Sequence, residues 1–400
     1  MFTPVSPFPA LASIFFAMLT AHILARKFGA PSAEGRFVAI DGLRGYLAFF
    51  VFLHHSCIWY FYLKTGAWKV PPSNLYTHFG QSSVAFFFMI TGFLFFSKII
   101  NDREKGVDWI KLFVSRALRL VPLYFFAMIL LFCIVAILSN ASFNDTPFQL
   151  IKDSVKWLSF TILGAPDLNG VENTPRILAG VTWSLPYEWL FYLSLPLLAL
   201  TVGKIPPLPF IVVGIFGVVG FATRYSNQWH LLSFAGGITA ALLVRFEWFC
   251  QLASKRISSF VLLASIGVTV ILFPSPHAPV PLLLFSFSFA LIAGGNTMFG
   301  ALSSEVSRTL GEMAYSIYLL HGVMLFVFFK FLVGFDRATL LSAPTHWLLV
   351  ILMTPVLVSL CFVTFRFIER PAMQSTAAVT KWIRSVFLRQ YNSAAEKENF

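Results

Sequence analysis

Apolar residues in this chain gather in long runs separated by short polar connections. A membrane-crossing helix needs about 20 mostly apolar residues, or somewhat fewer inside a bundle. By that measure eleven runs are expected to be transmembrane helices: 10–25, 46–63, 81–99, 120–138, 186–203, 208–223, 229–244, 258–273, 279–298, 313–333 and 346–366. The first reads as a retained helix rather than a signal peptide, because no Lys or Arg precedes it and no clear cleavage motif follows. Only the connections 97–119 and 139–185 are long, and within the second the stretch 147–163 is amphipathic enough to lie on the membrane surface. No internal repeat is visible, which counts against a transporter built from paired halves. The expected fold is all-α, a polytopic transmembrane helix bundle.

Charge gives the bundle a direction. If the sides alternate, one side collects 21 of the 29 Lys and Arg residues and the other collects 8. Basic residues concentrate on the cytoplasmic side, so the N-terminus is expected outside and the C-terminus inside. Composition agrees with lipid as the main solvent. Apolar types make up 58% of the 400 residues and charged types 12%, whereas soluble domains carry roughly 25% charged residues. A soluble enzyme, a disordered scaffold and a disulfide-stapled domain are excluded. The net charge of +12 then follows from cytoplasmic loops and needs no nucleic-acid partner. Cys57, Cys133, Cys250 and Cys361 have no metal-ligand spacing, so neither a zinc site nor a disulfide framework is expected.

An ionisable residue inside a span costs several kcal/mol unless paired or hydrated, which makes each one a candidate for function. His54 and His55 lie within YLAFFVFLHHSCIWYFYL, and Arg44 opens that helix in the run Asp41-Gly42-Leu43-Arg44-Gly45. Eleven residues separate Arg44 from His55, about 16 Å of helical rise and within about 20° of three full turns. The two share a face. His55 is therefore the candidate reacting group, since a neutral imidazole tolerates low dielectric and can remove a proton from a hydroxyl. His54 points elsewhere and reads as packing. Arg116 and Arg119, three apart at the start of the next basic helix, present two guanidinium forks suited to a phosphate. The plainer reading of that pair is an anchor to lipid headgroups.

Three further blocks hold polar groups. Trp183-Ser184-Leu185-Pro186-Tyr187-Glu188 enters a helix from the long outer loop, with Ser184 as its cap and Glu188 favoured by the helix dipole or binding a polyhydroxyl acceptor. Tyr318 and His321 share a face near the cytoplasmic boundary. Glu369-Arg370-Pro371 reads as an interfacial, salt-bridged stop. Signatures of soluble enzymes, among them Walker A, G-x-G-x-x-G, G-x-S-x-G and H-E-x-x-H, are missing.

Together these blocks resemble the acyltransferase-3 family of integral membrane acyltransferases. Arg44 and His55 match its Arg-x10-His motif, and SVAFFFMITGFLFF resembles its Ser-Phe-Phe-x-x-Ser-Gly-Phe helix with Thr91 in place of Ser. Arg116 and Arg119 match its Arg-x-x-Arg. WSLPYEWLFY, AYSIYLLH and the terminal ERP follow in family order. The similarity runs from about residue 38 to 372. It implies a core of ten helices over 36–372, with 1–35 an additional transmembrane helix and 373–400 a basic cytoplasmic tail. It also implies transfer of an acyl group, commonly acetyl, from cytoplasmic acyl-CoA to a hydroxyl of a carbohydrate or lipid-linked acceptor, with no tightly bound cofactor and no metal. On this reading His55 and Glu188 do the chemistry, Arg44, Arg116 and Arg119 hold the donor, and Trp183, Tyr318 and His321 contact substrate. A bacterial cytoplasmic membrane is the expected location. Acylation of a lipid or small natural product, and secondary transport, are the alternatives.

Overall fold

The computed structural model of the protein describes residues 3–32, 37–102 and 105–386. Among the described residues the regular structure is helical, with no β-strand. The chain opens with four long helices, α1 (Pro7–Phe28), α2 (Val38–Thr65), α3 (Asn74–Asn101) and α4 (Trp109–Leu138). A surface helix α5 (Pro147–Leu158) leads into a loop and then into α6 (Leu185–Leu200), α7 (Leu208–Thr223) and α8 (Gln228–Leu243). Next come α9 (Glu247–Ala253), α10 (Arg256–Leu272), α11 (Pro279–Ala293) and the short α12 (Glu305–Glu312). The chain then passes through α13 (Ala314–Val327), α14 (Phe335–Leu340), α15 (Ala343–Thr364) and α16 (Arg370–Gln374).

Every one of the eleven apolar runs coincides with a helix. Six helices are long and apolar enough to cross a membrane: α1 to α4, α13 with its continuation to Leu332, and α15 with its continuation to Gln374. The other five, α6, α7, α8, α10 and α11, have only 15–17 residues. At 1.5 Å per residue they rise about 22–26 Å, short of a bilayer core of about 30 Å. The bent pair α8–α9, with 109° between its halves, would make a seventh span.

The additional N-terminal helix is part of the bundle. Its buried face is a stripe of small residues, Ala10, Ser13, Ala17, Ala21 and Ala25, while Phe8, Leu11, Phe15 and Ile23 point outward. Small residues let helix backbones approach closely where hydrophobicity alone gives no driving force, and α1 packs on α15 and α12. Its start is tied down by Trp347 Nε1 donating to Pro4 O at 2.9 Å and Tyr76 Oη donating to Ser6 O at 2.8 Å. Trp347 and Tyr76 lie at the starts of α15 and α3, so α1 starts at the same end of the bundle as they do.

One expectation is corrected. The loop after α5 is not a surface connection. Leu168, Ile177, Leu178, Val181 and Thr182 are buried, and Gly322 of α13 gives the backbone of Leu178 and Ala179 room to lie against that helix. The first part of the segment after residue 372 is ordered. Residues 376–386 are helical, and Arg384 pairs at 2.6 Å with Asp108, the residue that caps α4. Burial raises the Asp108 carboxyl, but its hydrogen bonds to the Lys111 amide and Arg384, with the positive charges of both residues, together outweigh this and hold it below the usual carboxylate range. Residues 387–400 of the expected tail, and the 35/36 boundary, lie outside the described residues.

The register of α2 is set by close packing. A Cβ at Gly42 would overlap the Leu302 carbonyl, and one at Gly45 would meet the backbone of Leu310 at 2.6 Å and of Gly311 at 2.7 Å. Both glycines are therefore required for α12 to seat on α2 beside Arg44. Gly45→Ala should destabilise the protein by ~1–3 kcal/mol, the usual scale of overpacking, lowering its thermal midpoint in detergent. Gly267→Ala on α10, whose added Cβ meets nothing within 4 Å, should leave the midpoint unchanged. Equal midpoints for the two variants would refute this account of the α2–α12 contact.

Candidate active site

Two cavities open within the bundle, and the same three helices contribute to both. The first, about 240 Å³, is lined by Arg44 of α2, Arg116, Arg119 and Leu120 of α4, and Ala314, Tyr315 and Tyr318 of α13. The second, about 350 Å³, is lined by Trp59 and Tyr62 of α2, Leu138 of α4, Phe326 near the end of α13 and Lys330 of the π-helical turn that continues it. They therefore lie towards opposite ends of these helices. His55 and His321 sit between them in sequence on α2 and α13, with His55 about 16 Å of rise from Arg44 and about 6 Å from Trp59.

The two histidines touch. His321 Nε2 is 3.1 Å from His55 Nδ1, with the ring centroids 5.1 Å apart. Each Nδ1 also meets the carbonyl one turn earlier on its own helix, His321 to Ile317 O at 2.9 Å and His55 to Val51 O at 3.0 Å. A carbonyl can only accept, so each Nδ1 carries a proton in the neutral pair. It follows that His321 Nε2 is a lone pair receiving the His55 Nδ1–H, which it shares with Val51 O. His55 Nε2 is left with an unshared lone pair, as a general base requires. His54 turns away to Tyr76 O at 2.7 Å and packs over Gly80, so its expected packing role holds.

The first cavity is cationic. The Arg116 guanidinium lies 5.0 Å from the Phe95 ring, and Arg119 donates through Nη1 to Met373 Sδ at 3.0 Å. Arg119 Nη2 is buried with no hydrogen-bond partner. A guanidinium N–H left bare at a cavity wall is a ready donor for a ligand oxygen. Arg44 is only loosely engaged, 3.9 Å from the exposed Asp41. The wall includes Met373, one residue past the expected end of the core. Tyr318 stands between this cavity and the histidines: its hydroxyl bonds Ser184 Oγ at 2.7 Å, and its ring lies 6.4 Å from that of His321.

Several residues are not where the sequence suggested. Glu188 is not at an outer mouth beside Trp183. The loop before α6 descends into the bundle, so Glu188 lines the arginine cavity, where it accepts from Tyr192 Oη rather than from either histidine. Ser184 makes no capping hydrogen bond and holds Tyr318 instead. Trp183 lines neither cavity. It is 42% exposed and packs against His230, with ring centroids 4.8 Å apart. Glu369 is not an interfacial, salt-bridged residue. A π-helical turn over Phe365–Glu369 turns its side chain inward, where it is fully buried and hydrogen-bonded to Ser316, with one carboxylate oxygen unpartnered.

Sequence reasoning missed the aromatic lining of the second cavity. Trp59 and Tyr62 follow His55 at i+4 and i+7, the spacing of one helix face, so that signal was available. Trp68 was not legible. It lies in the 66–73 connection yet stacks on His55 at 6.3 Å and meets Trp59 edge-on at 5.7 Å.

The hydrogen-bond directions make a direct prediction. In protein labelled with 15N-histidine, both His55 and His321 should appear as Nδ1–H tautomers with deprotonated Nε2 at neutral pH, assigned by loss of signals in His55→Gln and His321→Gln. An Nε2–H signal from His55 would overturn its assignment as a base.

The sequence model of the acyltransferase domain family matches residues 37–366. Acyltransferase MdmB of Streptomyces mycarofaciens is 25% identical over 331 residues, covering 73% of this chain and 79% of that protein. No solved structure is significantly similar to the chain. The family match covers most of the chain, including both histidines and the three arginines. With the apolar helices of spanning length, it leads to one conclusion: the chain belongs to the acyltransferase-3 family and is a multi-pass integral membrane acyltransferase.

Proposed function

We propose that the protein is an O-acyltransferase that moves an acyl group, acetyl in the simplest case, from acyl-CoA to a hydroxyl of a carbohydrate-bearing acceptor across the bundle. The observation that carries this reading is the histidine pair between two cavities built on the same three helices. CoA is a polyphosphate, and the first cavity offers Arg44, Arg116 and Arg119 with an unpartnered N–H on Arg119. The second offers Trp59 and Tyr62 with Asn144, Glu172 and Asn173, the mixture of ring faces and hydrogen-bonding groups that suits a sugar.

The chemistry then needs few groups. His55 Nε2 takes the acceptor O–H proton as that oxygen attacks the thioester carbonyl carbon. The C–S bond breaks, the departing thiolate takes that proton back from His55 Nε2–H, and CoA leaves as the free thiol. The His55 imidazolium keeps its Nδ1–H bonded to His321, which is a positioning residue. Glu188 balances the arginines on the donor side, and Tyr318 borders the donor path. The acceptor enters past Trp59 and Tyr62 rather than past Trp183.

The charge asymmetry supports placing the arginine cavity on the cytoplasmic side, as cytoplasmic CoA requires. A bacterial cytoplasmic membrane is then the location, with the N-terminus out and the C-terminus in. Eleven crossings fit this orientation. The chain ends α4 at the acceptor end and begins α13 at the donor end, so the segment between must cross an odd number of times. Its five short helices supply that if they sit in a locally thinned bilayer.

Purified protein in detergent, given radiolabelled acetyl-CoA and an envelope extract, should lose thioester only when the extract is present. His55→Gln should cut the rate ~10²–10⁴-fold, the usual scale for a general base, without changing acetyl-CoA binding. Arg116→Ala/Arg119→Ala should weaken that binding. Full activity in His55→Gln, or no CoA binding in any form, would refute the proposal.

A further inference from the structure

The second cavity carries more charge than a neutral sugar needs. Two cations line it, Arg176 from the re-entrant loop and Lys330 from the π-helical turn Phe328–Leu332. Neither lies within 4 Å of a carboxylate: the ion pairs among the described residues are Arg44–Asp41, Lys156–Asp153 and Arg384–Asp108. Glu172 lines the same cavity and is paired with neither cation.

Aromatic rings hold both cations in place. The Arg176 guanidinium lies 5.0 Å from the Tyr62 ring and donates to Tyr62 Oη at 3.1 Å. The Lys330 ammonium lies 4.9 Å from the Phe335 ring. A cation–π contact fixes position but consumes no N–H, so most of the donors remain free. A third donor converges on the site: Trp59 also lines this cavity, is 1% exposed, and its indole N–H has no partner. A buried indole N–H normally finds an acceptor. Two ring-held cations and an orphan N–H lining one cavity make a site for an anion. Glu172, Asn144 and Asn173 offer partners for hydroxyl groups.

We infer that the acceptor is an acidic saccharide, whose carboxylate or phosphate is held by Arg176, Lys330 and the Trp59 N–H while a hydroxyl is presented towards His55. The inference rests on the assignment of this cavity to the acceptor. Its volume, about 350 Å³, lies at the small end of ligand sites, which run about 300–1,000 Å³, so one or two sugar residues are seated rather than a long chain. The anionic group selects the acceptor and takes no part in the transfer. Glu172 disfavours a second negative charge nearby.

The test uses the full-length protein in detergent, radiolabelled acetyl-CoA, and an envelope glycan and glycolipid extract split by anion exchange into retained and unretained pools. Label should enter the retained pool. Phosphatase treatment of that pool before the reaction, or amidation of its carboxyl groups, should abolish labelling according to which anion is present. Arg176→Gln/Lys330→Gln should reduce labelling at least tenfold at low acceptor concentration, with acetyl-CoA binding unchanged and most of the loss in KM. Arg176→Lys should recover part of it. Label confined to the unretained pool, or a double variant equal to wild type, would overturn the inference. Acetyl-CoA that binds but labels neither pool would overturn it together with the acceptor assignment. Failure of the wild type to bind acetyl-CoA would instead strike at the transfer reading, and is seen separately in the binding measurement.

Discussion

Two backbone carbonyls orient the centre of this bundle. Ile317 O and Val51 O each occupy the Nδ1 of the histidine one turn later, and a carbonyl leaves that nitrogen no choice but to carry the proton. Everything downstream in the site inherits this direction. His321 becomes an acceptor, His55 becomes its donor, and the unshared lone pair falls on the far nitrogen of His55. A carboxylate in place of His321 would also accept from His55, but it would add a charge at mid-bundle, where an isolated ion is strongly disfavoured. A neutral imidazole gives the same orientation without that charge.

The pair works only if its two sides remain distinct, and packing keeps them so. Gly42 and Gly45 seat α12 against α2 and fix the azimuth of Arg44. Gly322, the residue after His321, admits the backbone of the re-entrant loop. That loop brings Ser184 and Glu188 to the arginine cavity and Asn173 and Arg176 to the other. One segment of chain thus furnishes walls on both sides of the histidines. Its polar backbone is tolerated at that depth because it is buried in protein rather than in lipid.

What the sequence made legible was what helical periodicity governs. Apolar run length located eleven of the sixteen helices, and eleven residues of rise put Arg44 and His55 on one face. Arg119, beyond a loop, was recoverable only as a phosphate-suited pair with Arg116. The failures have a common physical origin. A long polar connection suggests a surface path, which puts Glu188 and Trp183 at an outer mouth, but run length says nothing of a loop that re-enters. Glu369 was read as a surface ion pair because its neighbour is Arg370, whereas a π-helical turn changes the register just where regular periodicity would turn it outward. Trp68 reaches His55 from a connection with no periodicity at all.

The same logic bears on why the arginine cavity is built as it is. Three guanidinium groups share its wall with a single carboxylate, Glu188, which is itself occupied by Tyr192. The buried carboxylate of Glu369 contributes from behind, within electrostatic reach of Arg119 and Arg44, but it is bonded to Ser316 and does not line the cavity. Positive charge therefore remains in excess on the cavity wall, and Arg119 keeps a buried N–H without a partner. Such an arrangement destabilises the free protein relative to one with a fully matched carboxylate. A ligand that brings its own negative charge removes that cost on binding, whereas a neutral ligand would seal the cations away from water without relieving it. On the proposed function, that excess charge selects an anionic donor and leaves its uncharged reacting carbonyl for the histidine pair beyond Tyr318.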